Sequence, residues 1–246
     1  LEATTWDRDA QRPVDILSRL PYVEVRDGRG RFLTSSRLEP HRLAGAYVKN
    51  AKLDGASVGD WMIEQLQLEK GVPLDWCRIY AAIFQLDPLC LLHGVFFSDP
   101  SWRDFGNPKV RRAITGVIEA HDVKPLVSGG VKRDDVNPTA QEGRNAREGY
   151  GFVPFGRTEY TAREIVLTLA VDLEQIRGYG LNEAETALLV DLALWEIRSL
   201  LDRPLRLRTA CDLLVADDRI TARVPAGWEL PGRDVLERRI QESTAR

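Results

Sequence analysis

The chain has 246 residues, 43% hydrophobic and 29% charged, with a formal net charge of −3 at pH 7. That length and mix can bury a full core, in one large domain or two small ones, and fit a soluble globular protein. No apolar run reaches the ~20 residues that span a bilayer, and no charged-then-apolar leader marks the chain for secretion. Three scattered cysteines, Cys77, Cys90 and Cys211, suggest neither a disulfide framework nor a zinc site, so a reducing cytoplasm is expected. The acidic balance argues against a grip on nucleic acid through bulk charge, yet leaves room for a local basic groove. Leu1 is not a methionine, and the chain is expected to have been cut or to start partway into its gene product.

In chain order, "YVEVRDGRGRFLTSS" predicts a hairpin turning at Asp27-Gly28. "GDWMIEQLQLEKG" predicts a short helix, and "LLHGVFFS" a buried strand. "PKVRRAITGVIEAHD" carries Val110, Ile114, Val117 and Ile118 at helical spacing behind Pro108, which predicts a helix. From Val127 to Arg157 the periodicity dissolves into Gly, Pro, Asn and charge, and a run of roughly thirty such residues reads as a functional loop or flap. "TAREIVLTLAVDLEQIRGYG" and "NEAETALLVDLALWEIRSLLDRP" predict two helices, the second opened by an Asn-x-x-Glu capping pattern. "LRLRTACDLLV" and "RITARVP" read as strands, and the charged tail from Gly232 as a fraying end. Strands and helices mix without a βαβ beat, which makes the expected class α+β.

The glycine-rich run "VSGGVKRDDVNP" matches neither a P-loop nor a dinucleotide fingerprint, and no G-x-S-x-G elbow occurs. His93, inside "LLHGVFF", reads as a hydrogen-bonded core histidine. His121 is placed at a helix end as a dipole partner. His41 stands beside Arg42 in a basic turn. Asp134 and Asp135 have the chemistry to hold a divalent metal, although paired acids in turns more often cap backbone N–H groups.

Binding chemistry is better represented. Gly129 and Gly130 can turn their N–H groups toward one anion, with Lys132 and Arg133 adding two charges. Strand alternation sets Arg206 and Arg208 on one face and Leu205 and Leu207 on the other, about 7 Å between successive guanidiniums, near the phosphate spacing of an extended nucleic acid. Tyr150, Phe152, Phe155 and Tyr160 are interleaved with Arg147, Arg157 and Arg163, as a single-strand binder needs. "GYGFVPF" also satisfies the last seven positions of an RNA-recognition signature. Glu148 replaces its leading base, and Pro154 is awkward for a central strand.

"SSRLEPHRLAGAYV", "DPLCLLHGVFFS", "SGGVKRD", "GYGFVPFGRTEYTA", "DLEQIRGYGL" and "RLRTACDL", in this order, resemble one CRISPR-associated family. It is the RAMP-superfamily backbone subunit of type I effector (Cascade) complexes, subtype I-G, formerly I-U. The resemblance covers roughly Ser35 to Leu213. It implies a modified RNA-recognition (ferredoxin-like) palm with finger and thumb insertions, in a single domain over residues 1–246 that lacks its N-terminal start, with the thumb or flap at 127–157. It implies a non-catalytic subunit without cofactor or metal, stacking with further copies of itself along a guide RNA whose bases pair with target DNA. A large subunit and a guide-end-binding or processing subunit would be neighbours. The implied RNA contacts are His41, Arg42, Ser128, Gly129, Gly130, Lys132, Arg133, Tyr150, Phe152, Phe155, Arg157, Arg206 and Arg208. Two catalytic alternatives stand beside this: a metal-dependent ribonuclease using Asp134 or Asp135, and a guide-processing endonuclease with His41 as base.

Overall fold

A computed structural model describes residues 1–53, 55–98, 100–134, 151–208, 211–216 and 220–245, the side chains of 101, 132–134, 151–153 and 208 excepted. Helices and small antiparallel sheets mix, as an α+β chain requires. Two units separate: Leu1–Thr115 with Leu169–Arg246, and Gly116–Thr168.

The larger unit is organised around the helix Glu183–Leu201. Its start is fixed by a reciprocal capping box in which the Asn182 side chain accepts from the Glu185 N–H and Glu185 accepts from the Asn182 N–H. Leu188, Leu189, Leu192 and Trp195 repeat at helical spacing and are buried in the main core, with Met62, Ile79, Ile83, Leu91, Trp102 and Tyr179. The tail that composition marked as fraying is the helix Arg233–Thr244. Its Leu236 and Ile240, one turn apart, are fully buried, and Glu237 accepts hydrogen bonds from both Trp195 Nε1 and Arg233 Nε. Nine charged or polar positions hid three apolar ones, of which Leu236 and Ile240 sit on the same face.

The Glu24–Arg26/Phe32–Ser35 hairpin and the helix Val58–Gln65 form where expected. In the hairpin loop the left-handed residue is Gly30 (φ 78°) rather than Gly28, while Asp27 accepts from the N–H groups of Arg29 and Arg31. "LLHGVFFS" divides into a helix, Leu89–His93, and a two-residue strand, Val95–Phe96. Gly94 makes the break: its φ is 78°, and a Cβ there would lie 2.8 Å from the Val110 carbonyl oxygen. "RITARVP" forms no strand among its described residues.

Two helix expectations are overturned in the smaller unit and in the residues that flank it in sequence. Ile114–His121 and Glu164–Val171 are strands, paired with each other. Their β-branched residues favour a pleated ribbon, and the helical spacing of Val110, Ile114, Val117 and Ile118 buries no helical face: Val117 and Ile118 are both exposed. Of the second expected helix only Leu173–Arg177 is helical. His121 accordingly ends a strand rather than a helix. The run Val127–Arg157, expected as loop, is strand where it is described: Lys124–Asp134 pairs antiparallel with Gly151–Thr161 over eleven residue pairs, while 135–150 lie outside the described residues. Every sheet among the described residues is two-stranded.

Candidate nucleic-acid interface

Eleven paired residues per strand make a ribbon about 36 Å long at the usual strand rise. Both of its strands are edges, so Pro125 and Pro154 can remove a donor without breaking a central ladder. Solvent reaches both faces. Leu126 and Phe155 are half-exposed on one, and Val127, Val131 and Tyr160 are exposed on the other, Val127 at 78%.

The glycine pair has a different task from the turn expected of it. Gly129 and Gly130 lie in extended strand opposite Gly156 and Phe155, and neither has a positive φ. The anion-cradling turn is therefore replaced by a ladder. A Cβ on Gly129 would stand 2.9 Å from the Phe155 carbonyl oxygen, and one on Gly130 would meet the Phe155 ring at 3.4 Å. The bare backbone lets the opposite strand approach closely and seats the Phe155 ring across it. Ser128 pairs with Arg157, whose guanidinium is half-exposed and bound to Glu159. Lys132 and Arg133 occupy strand positions opposite Val153 and Phe152. Asp134 ends the strand opposite Gly151, whereas Asp135 and Tyr150 lie outside the described residues. Arg163 fixes the junction between the two strand pairs: its N–H donates to the His121 carbonyl, and its Nε donates to Asp122 at 2.5 Å.

The other expected contacts belong to the larger unit and do not form one surface. His41 is exposed ahead of a short 3-10 turn. Arg42, in the left-handed region at φ 53°, folds its largely covered side chain onto Glu2. Arg206 is exposed, 3.7 Å from Asp212. Arg208 is a strand residue beyond a register shift, and Leu207 is half-exposed, so the leucine face is not a core face.

What the "SSRLEPHRL" and "DPLCLLHG" stretches share is instead a buried polar cluster. Ser36 donates to Asp87 at 2.5 Å, the Leu89 N–H donates to the same carboxylate, and Arg37 Nε lies 3.7 Å from it. Both Arg37 and Asp87 side chains are 1% exposed. Burial pushes the Asp87 carboxyl above the usual range, and the Arg37 charge partly offsets this. His93 Nε2 lies 3.0 and 2.8 Å from the two oxygens of Glu196, on the central helix, and its Nδ1 is 3.6 Å from Glu2. His93 is thus the hydrogen-bonded core histidine expected. These groups join the N-terminus, the 36–42 loop, the 87–93 segment and the central helix, which is a structural task.

One basic segment escaped the sequence reading. Lys109, Arg111 and Arg112 are exposed while Val110 between them is 3% exposed. Folded into an expected helix, "KVRR" had no face of its own. Among the described residues, no helix is long and apolar enough to cross a membrane, and no three His, Cys, Asp or Glu residues are grouped to hold a metal ion.

No curated protein matches the sequence. The sequence model of one family does, over residues 1–125, about half the chain and the half that holds the Ser36, Arg37, Asp87 and His93 cluster. The chain belongs to that family, the CRISPR-associated protein GSU0053 family.

Proposed function

We propose that the chain is a non-catalytic guide-RNA-binding subunit, copies of which stack along one guide as the backbone of a type I CRISPR effector of subtype I-G. In this reading the larger unit is a remodelled RNA-recognition palm of the RAMP kind. The guide's bases are presented to target DNA, and the large and guide-end subunits flank the stack in the cytoplasm. The observation that carries the reading is the ribbon. A two-stranded sheet is marginal alone, and this one leaves Leu126 and Phe155 in solvent on the face that carries Arg157, and Val127, Val131 and Tyr160 in solvent on the other. Rings and apolar side chains next to a guanidinium suit the faces of bases and their phosphates. Membership of a CRISPR-associated family is in keeping with a guide RNA as the strand such a surface would meet. A low net charge suits a filament that gains affinity from many copies rather than from one.

The test is assembly of the intact protein on its guide RNA as salt is raised. Assembly at low salt that weakens steeply with salt, and weakens further in Phe155→Ala/Arg157→Ala, is expected. Failure to assemble at low salt refutes the reading.

A further inference from the structure

Three exposed cations follow one another along Lys109–Arg112, and none has an ion pair with a described residue. Val110, 3% exposed and paired with Val95, turns inward, so Lys109 and Arg111 on either side of it turn outward, about 7 Å apart for an extended chain. Aromatic rings flank this segment at both ends. Phe96, 44% exposed and paired across the short sheet with Lys109, has the Lys109 ammonium 5.2 Å above its centroid. Near Arg111 a ladder of rings runs inward from the surface. Trp76, 37% exposed, packs 5.6 Å from Tyr80, and Tyr80 packs 4.5 Å from buried Tyr179. The ladder is rigid at its inner end: Tyr179 donates to the Leu91 carbonyl, and Gln175 donates both to the Tyr179 hydroxyl and to the Arg111 carbonyl.

We infer that Lys109, Arg111 and Arg112, with Phe96 and Trp76, form a second track for single-stranded nucleic acid, separate in sequence from the ribbon. Cations at phosphate spacing serve any polyanion, an acidic protein segment included. The partly exposed rings of Phe96 and Trp76 favour a strand with bases to stack. Rings anchored through Tyr179 offer that surface without the ordering cost of a mobile loop. The inference rests on reading the chain as a nucleic-acid binder, but not on the ribbon being its only contact.

The experiment uses the full chain and a fluorescent oligouridine of thirty nucleotides, titrated at several salt concentrations. Lys109→Ala/Arg111→Ala/Arg112→Ala is compared with wild type and with Phe155→Ala/Arg157→Ala. Loss of three phosphate contacts lowers the log–log salt slope by about 2, so wild type should lose about twenty-fold more affinity than the triple variant between 50 and 200 mM salt. Ultraviolet crosslinking should place a nucleotide on the peptide carrying Trp76 or Phe96. An unchanged salt slope, with no crosslink there, overturns the inference. So does unchanged oligonucleotide binding in a triple variant that has lost binding to polyglutamate. A triple variant that is weakened while the ribbon variant is not supports this track and counts against the ribbon. The exposed positions make an unaltered melting temperature the control for folding.

Discussion

Asp87→Asn keeps the shape of a buried side chain and removes its charge. In the wild type, Arg37 Nε and Asp87 Oδ1 are 3.7 Å apart, which at an effective dielectric of about 20 is an attraction of about 4.5 kcal/mol. Arg37 has few other partners: its Nη2 donates to the Pro21 carbonyl, its guanidinium sits over the Tyr22 ring, and Nε and Nη1 make no hydrogen bond with protein. Without the carboxylate a guanidinium stays buried and uncompensated, a loss of about 3–5 kcal/mol. For a chain of this size that lowers the melting temperature by roughly 6–20 °C. Arg37→Met strands the carboxylate instead and should be similarly harmful. The double variant Arg37→Met/Asp87→Asn removes both charges and should recover most of the loss, giving a coupling of about 3 kcal/mol in a urea-denaturation cycle. A coupling below about 0.5 kcal/mol, the value of an exposed pair, would refute the argument that this cluster ties the fold together.

The remaining expectations concern pH, a hydroxyl and a glycine. Burial pushes the Tyr179 hydroxyl up to about 12, so its contribution is intact below pH 10 and lost as pH climbs toward 12. Tyr179→Phe leaves the Leu91 carbonyl and the Gln175 amide short of a partner and should cost about 1–3 kcal/mol in denaturant melts. Gly129→Ala forces backbone apart and should raise hydrogen exchange through 124–134, whereas Gly130→Ala meets only the Phe155 ring and should leave exchange nearly unchanged.

What the sequence disclosed depended on whether a signal was local. The capping box at Asn182, the helix it opens and the hairpin after Tyr22 were legible because a few neighbouring residues determine each. The ribbon was not. Its strands expose apolar residues on both faces, so they carry no alternation and read as loop, while in the pair Ile114–His121 and Glu164–Val171 β-branched residues at chance helical spacing imitate a helix. Gly129-Gly130 looked like a turn because the reason for two glycines lies on the opposite strand, at Phe155. Arg42 looked like a free cation because its partner, Glu2, is forty residues away, and Arg37 and Asp87 are fifty apart. Charge type is visible in a sequence, but pairing is a property of the fold. The aromatic support of Lys109–Arg112 likewise comes from two distant stretches, around Trp76 and Phe96.

The central claim is that this chain assembles in many copies on one guide RNA. The direct measurement is its purification from cells that also carry its CRISPR array, with the particle's mass, its absorbance ratio at 260 and 280 nm and the length of any RNA recorded together. The account predicts a large particle holding RNA of one defined length. A nucleic-acid-free monomer would contradict it.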